Sequence, residues 1–334
     1  RCTRGAVLAS VRVLITGAAG QDGTILSTWL ARDGADVVGL IKPGTPHQRL
    51  QQYVPTIDIA EVDLVDVDSL RSLVQDVQPT HVYNFGGFTA PAESWDKADE
   101  VHATNVDSVR ILLESLTSLG NQPRFFQASS SHIFEGTDRS PQDATFEFSP
   151  ASPYAKSKAE ALGLVRKYRD ESGLFAVSGI LYNHESPLRS ENFVTRKVSM
   201  AVARIAAGFQ ETLELGDIEV ARDWGWAPDY VRGMRLMMEA DSPSDYVLAT
   251  GISHRLSFFV AKAFAAAGIS DWQERVVASG SDRPVDTNKM VGDSRRAYLD
   301  LGWRHTVDFD SMAAAMVAYD PALLADPDLP WEDF

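Results

Sequence analysis

The sequence predicts an α/β fold, a doubly wound parallel sheet joined to a second, smaller C-terminal domain. Three observations predict it. The apolar run Val13-Leu14-Ile15 breaks into a glycine-rich turn, Thr16 to Gly23, and then into helix-like sequence. Beyond it, short apolar runs alternate with helix-like stretches as far as Ala128. The chain has 334 residues, 44% of them hydrophobic, enough for one large core or two adjoining domains.

Charge and composition exclude several classes. The net charge of −15 disfavours binding to nucleic acid or an anionic membrane. A single cysteine, Cys2, excludes disulfides and cysteine metal sites. No apolar run approaches the ~18 residues of a membrane span. Residues 1–10 lack the long apolar region of a signal peptide and read as a leader or an appended remnant, with Val11 as the natural start. The cytoplasm is the expected compartment.

The elements follow in order. The first strand ends in Gly17, Gly20 and Gly23, spaced G-x-x-G-x-x-G. Such a turn lets the backbone approach a pyrophosphate, which then sits on the N–H groups and positive dipole of the following helix. Asp36 to Ile41 is a second strand, and Lys42 stands where an NAD enzyme carries an acid; a cation there suits the 2′-phosphate of NADP. A third strand, Ile57 to Val62, leads to Asp63 and Leu64, a plausible adenine contact, and a helix runs over 69–77. The fourth strand ends at Gly86 and Gly87, where a cofactor can pass close to backbone. A helix over 105–119 precedes the fifth strand, Arg124 to Ala128, which runs into Ser129-Ser130-Ser131-His132. The next helix carries Tyr154 and Lys158, four residues apart and therefore on one face. An ammonium beside a phenol favours the phenolate, an acid/base suited to a sugar or alcohol hydroxyl.

At these residues the chain resembles an extended short-chain dehydrogenase/reductase and, within that group, the GDP-mannose 4,6-dehydratase family. The similarity runs from Val13 to about Asp320. TGAAGQDG, YNFGG at 83–87, NHESP at 183–187, NFVTRK at 192–197, RDWG at 222–225 and ATG at 249–251 carry it. The resemblance implies that Gly17, Gly20, Gln21, Asp22, Gly23, Asp63, Leu64, Tyr154, Lys158, His184 and Arg189 hold NADP. It implies that Asn183, Val194, Lys197, Arg222 and Arg283 hold a GDP-sugar, with Asp286 where the family has Glu. Three cations suit a diphosphate in an otherwise acidic chain. The implied architecture is a Rossmann domain over 11–181 and 228–250, and a nucleotide-sugar domain over 182–227 and 251–334. A homodimer or homotetramer is expected.

The resemblance also implies an internal redox cycle. Tyr154 takes the proton of the hydroxyl on sugar carbon 4, Ser130 hydrogen-bonds that oxygen, a base removes the hydrogen on carbon 5, and water leaves carbon 6. The family reads S-T-S-E-[LV]-Y-G after the fifth strand; this chain reads Ser129-Ser130-Ser131-His132-Ile133-Phe134-Glu135. His132 thus replaces the expected glutamate base, and a neutral imidazole is itself a base near physiological pH. Glu135, three residues along a strand end, is expected to face elsewhere. FTAPAE at 88–93 is less polar than the family, and the loop after Lys42 is shorter than the family's subunit-pairing segment. A 4-epimerase or 4-ketoreductase, which needs no base at carbon 5, is the alternative enzyme. A non-catalytic dinucleotide sensor is the third reading, opposed by Tyr154, Lys158 and Ser130 together.

Overall fold

The computed structural model describes residues 11–279 and 290–325. Its strands are Arg12–Thr16 (β1), Asp36–Ile41 (β2), Asp58–Glu61 (β3), His81–Asn84 (β4), Arg124–Ser130 (β5), Phe175–Leu181 (β6), Asn183–Glu185 (β7), Leu213–Leu215 (β8), Ala221–Trp226 (β9), Tyr246–Leu248 (β10), Ser253–Arg255 (β11) and Val276–Ala278 (β12). Seven of them form one sheet in the order β10-β6-β5-β4-β1-β2-β3. The pairings β1–β2, β1–β4, β2–β3 and β4–β5 are parallel. The order runs outward from β1 in both directions, which is the doubly wound arrangement expected from the sequence.

The helices are Gln21–Arg32 (α1), Gln48–Tyr53 (α2), Val67–Val77 (α3), Ala98–His102 (α4), Ser108–Thr117 (α5), Pro153–Ser172 (α6), Val194–Ala206 (α7), Ala227–Glu239 (α8), Leu256–Ala266 (α9), Trp272–Arg275 (α10), Arg295–Leu301 (α11) and Phe309–Ala325 (α12). Their ends are chemically marked. Ser152 caps α6 by accepting from the Ala155 N–H at 3.2 Å, Pro153 opens it, and Gly173 closes it with φ 67°. Asp66 caps α3 through the Ser69 N–H. The helix expected over 105–119 is more complex. A wide π turn, Ala103–Asp107, joins α4 to α5 and displaces Asn105 from the ordinary helical course.

The chain divides into two compact units. The first comprises residues up to Ser129, Ser152–Gly179 and Met237–Asp245. Its core joins Leu14, Val38, Leu40, Val82 and Phe125 of the sheet to Leu70 and Val74 of α3, Leu112 and Leu116 of α5, and Val165 of α6. Each such buried aliphatic side chain contributes about 1.5–3 kcal/mol. The 237–245 segment is fastened here by polar contacts. Asp245 accepts from Arg166, Arg169 and the Ser178 N–H, and Arg124 donates to the carbonyls of Met238 and Ala240. The second unit comprises Ser130–Ala151, Ile180–Leu236 and the chain from Tyr246 onward. Helices α7, α9 and α12 pack there around Val198, Val202, Phe259, Val260, Phe264, Met312 and Met316, with Trp224 of β9 against them. It holds the three-stranded sheet β11-β9-β7 and the parallel pair β12–β8. No helix among the described residues is long and apolar enough to cross a membrane.

Candidate active site

In the first unit the glycine turn closes on the end of β4. Gly17 sits at φ +66°, and a Cβ added there would lie 2.8 Å from the Gly86 nitrogen. A Cβ on Gly86 would lie 2.7 Å from Leu64 Cδ1, and one on Gly23 would lie 2.5 Å from the Gly17 carbonyl oxygen. Gly17, Gly86 and Leu64, far apart in sequence, are therefore close neighbours. A polar ladder fixes the strand ends. The Gly86 N–H donates to Thr16 Oγ1 at 2.9 Å, Thr16 donates to Asn84 Oδ1, and Asn84 Nδ2 donates to Gln127 Oε1 at 2.8 Å. Gly20 is the N-cap of helix α1 and makes no side-chain cap, and Gln21 donates to Asp22 in the first turn. A close-packed glycine turn leading into an uncapped helix start fits a dinucleotide pyrophosphate. Lys42 and Asp63 form a 3.6 Å ion pair, with the lysine exposed.

Tyr154 and Lys158 share the inward face of α6, and both are buried. Lys158 Nζ lies 5.8 Å from the Tyr154 ring centroid and donates to the Ala128 carbonyl at 3.2 Å. Burial, with no carboxylate partner among the described residues, pushes its pKa from 10.5 down to about 8. Asn105, which the sequence reading missed, completes this corner. Its Oδ1 accepts the Phe88 N–H at 2.7 Å, and its Nδ2 donates to Ser157 at 3.0 Å. Its Oδ1 would lie 2.6 Å from a Cβ on Gly87, and Lys158 Nζ 3.8 Å from it. Only the π turn turns Asn105 this way, and an apolar-periodicity reading of a helix carries no sign of it.

The second unit holds Ser130, His132, Asn183, His184, Arg189, Val194, Lys197 and Arg222. Ser130 caps a one-turn 3₁₀ helix, Ser131–Phe134, by accepting the His132 N–H at 3.3 Å. The turn corrects one expectation. Three residues make one turn of a 3₁₀ helix, so Glu135 does not face away but lies beside His132, Oε2 to Nδ1 2.8 Å.

The basic and aromatic residues of this unit are tied to its own chain. His184 Nδ1 lies 2.7 Å from the Tyr182 carbonyl, and its ring stacks on Tyr230 at 4.7 Å. Arg189 approaches Glu185 at 3.3 Å and lies over the Phe193 ring at 3.7 Å. Glu185 also accepts from Thr195 at 2.6 Å, so NHESP and NFVTRK are pinned together. Asn183 lies on β7, and Val194 opens α7. Lys197 donates to the Glu214 carbonyl at 2.7 Å, and Arg222 to that of Ala221 at 2.8 Å. Buried Asp223 accepts the N–H groups of Thr250, Gly251 and Gly292 and the Thr250 hydroxyl, which joins RDWG to ATG. Burial raises its pKa despite those bonds. Residues 1–10, Arg283 and Asp286 lie outside the described residues. Among the described residues, no three His, Cys, Asp or Glu side chains gather to hold a metal.

A doubly wound sheet, a tight glycine turn after β1 and a buried Tyr-x-x-x-Lys pair define an extended short-chain dehydrogenase/reductase. The family model described as GDP-mannose 4,6 dehydratase matches residues 14–316. GDP-mannose 4,6 dehydratase 1 of Arabidopsis thaliana is 38% identical over 92% of this chain and 89% of its own length. The Homo sapiens GDP-mannose 4,6 dehydratase is 35% identical over 93% of this chain and 91% of its own length. Two solved structures share the fold. UDP-glucose 4-epimerase of Thermotoga maritima, with UDP-glucose, has TM-score 0.83 at 21% identity over 94% of this chain and 99% of that one. RMD of Pseudomonas aeruginosa, complexed with NADPH, has TM-score 0.79 at 21% identity over 94% of this chain and 98% of that one. The chain belongs to the GDP-mannose 4,6-dehydratase family.

Proposed function

We propose that this protein is an NADP-dependent nucleotide-sugar 4,6-dehydratase, a lyase that converts GDP-mannose or a related GDP-sugar to its 4-keto-6-deoxy form. The observation that carries the reading is the buried Tyr154–Lys158 pair on α6, in a chain matched to the family from residue 14 to 316. In this reading Gly17, Gly20, Gln21, Asp22, Gly23, Lys42, Asp63, Leu64, Gly86, His184 and Arg189 hold NADP. When bound, NADP would supply the redox chemistry, an acceptor for the carbon-4 hydride and its donor at carbon 6, so that no net oxidant would be consumed.

The chain's own residues do the proton work. Tyr154 accepts the proton of the carbon-4 hydroxyl, the Lys158 ammonium favours the Tyr154 phenolate, and Ser130 hydrogen-bonds the reacting oxygen. The resulting ketone acidifies carbon 5, where His132 acts as base. Lys197, Arg222 and Arg283 bind the diphosphate, and Asn183, Val194 and Asp286 bind the nucleotide sugar. The cofactor domain over 11–181 and 228–250, the sugar domain over 182–227 and 251–334, a homodimer or homotetramer, and a cytoplasmic setting belong to the same proposal. His132 in the place of a glutamate supports one second reading, a 4-epimerase or 4-ketoreductase. Incubation of the NADP-loaded protein with a panel of GDP-, UDP- and dTDP-sugars, read by mass spectrometry, separates the two. Loss of one water from a GDP-sugar supports the dehydratase, and an unchanged mass with altered stereochemistry at carbon 4 supports the epimerase.

A further inference from the structure

We propose that Glu135 is the positioning residue for His132, so that a carboxylate–imidazole dyad does here what a single glutamate does in the resembled motif. The proposal rests on the dehydratase reading. It starts from two departures in one heptapeptide. Where the resembled motif has Glu this chain has His132, and where it has Gly this chain has Glu135. The 3₁₀ turn over Ser131–Phe134 brings the two side chains together, Glu135 Oε2 to His132 Nδ1 2.8 Å. Glu135 is not merely adjacent. Its other oxygen, Oε1, accepts the Ala151 N–H at 3.2 Å, which fixes the carboxylate plane. The His132 and Glu135 side chains are 27% and 18% exposed, so the pair is largely withdrawn from water while the imidazole keeps some access.

A carboxylate is an acceptor only, so Nδ1 carries the proton and donates it to Glu135. The imidazole is then held as the Nδ1–H tautomer, and Nε2 is the basic nitrogen. The same logic lets a carboxylate orient a catalytic histidine in hydrolytic triads. The step balances without a further reactant. Nε2 takes the carbon-5 proton, the C–H electron pair becomes the carbon-5 to carbon-6 double bond, and the carbon-6 hydroxyl departs. The imidazolium returns that proton to the departing oxygen, so one water leaves and His132 is neutral again. Once carbon 6 has its hydride, carbon 5 takes a solvent proton, which is where deuterium enters in heavy water. A base with a fixed tautomer replaces a base with two equivalent oxygens, and the added glutamate is what fixes it.

The test has two arms on the NADP-loaded protein. In the first, nitrogen NMR of histidine-labelled protein at neutral pH identifies the His132 signals by their disappearance in His132→Gln. The expected result is the Nδ1–H tautomer in wild type and its loss in Glu135→Gln. An Nε2–H tautomer in wild type, or no change in Glu135→Gln at equal cofactor occupancy, overturns the proposal. In the second, GDP-mannose is supplied in heavy water. Glu135→Gln should lower deuterium entry at carbon 5 and water loss by about 10²- to 10⁴-fold, the worth of a positioned general base, with KM and cofactor reduction at carbon 4 unchanged. Glu135→Asp should restore part of the loss. A parallel fall in carbon-4 oxidation and carbon-5 exchange would mean a structural role and overturn it. If wild type transforms no nucleotide sugar, the dehydratase reading fails. The tautomer arm then still decides whether Glu135 holds His132.

Discussion

In the first unit the recognisable residues are bare backbone: Gly17 lies against Gly86, and Gly20, the N-cap of α1, makes no side-chain cap. In the second unit the recognisable residues hold one another. Glu185 takes Thr195 and faces Arg189, while Asp223 gathers Thr250, Gly251 and Gly292. The difference teaches that motif residues of equal prominence in sequence do different physical work. A glycine turn has no side chain to spend on the fold, so its work is the close approach of backbone to backbone. A charged motif inside a packed unit must first satisfy its own buried groups.

That contrast is breakable by substitution, and the largest effect belongs to chemistry rather than packing. Tyr154→Phe should cut turnover by about 10²- to 10⁴-fold while NADP affinity measured by calorimetry stays as in wild type. Equal turnover would remove Tyr154 from the reaction. Asp223→Ala should cost about 3–5 kcal/mol in urea unfolding, because the buried Gly292 N–H and the partly buried N–H groups of Thr250 and Gly251 lose their acceptor. A cost under about 1 kcal/mol would mean that the carboxylate is not the staple of the second unit.

Lys158→Met sharpens the comparison from the other side, since Lys158 is a buried group with no carboxylate partner among the described residues. Its pKa is near 8 in the folded protein against an ordinary 10.5. Below about pH 8 the folded chain carries the full cost of a buried ammonium. As pH rises from 8 toward 10.5 the folded lysine is already neutral while the unfolded one still binds a proton, so wild type gains relative stability. Lys158→Met should therefore be more stable than wild type by about 3 kcal/mol at neutral pH, with the gap closing toward pH 10.5. A gap that does not change with pH would contradict this, and turnover should be lost at every pH.

Gly17→Ala should cost about 1–3 kcal/mol, since it places a Cβ at φ +66° and 2.8 Å from the Gly86 nitrogen, and it should weaken NADP binding in the same titration. The smallest effect is expected at Lys42, exposed and paired with Asp63 at 3.6 Å. Lys42→Ala should move stability by no more than about 0.5 kcal/mol. It should nevertheless narrow the preference for NADP over NAD, and an unchanged preference would leave the lysine an ordinary surface charge.

The first unit was largely legible in the sequence because its signals are local. Apolar runs mark β1, β2 and β5, a glycine turn follows β1, and Ser152-Pro153 opens the helix that carries Tyr154 and Lys158. What escaped there depends on backbone detail, as with Asn105, which a π turn aims at Phe88 and Ser157. The second unit was legible as motifs but not as contacts. Nothing local says that Asp223 bonds Gly292, 69 positions away, or that Glu185 bonds Thr195. Glu135 was misjudged for a definite reason. Counted along a strand it turns away from His132, and counted along a 3₁₀ turn it returns to it.

The central claim is that the hydride taken from carbon 4 comes back to carbon 6 of the same sugar while water leaves. GDP-mannose deuterated at carbon 4, incubated with the NADP-loaded protein and read by mass spectrometry and proton NMR, tests it directly. The account predicts a product lighter by one water, with the deuterium on carbon 6 and no accumulation of reduced cofactor. Deuterium remaining on carbon 4, in a product that has lost no water, would contradict it.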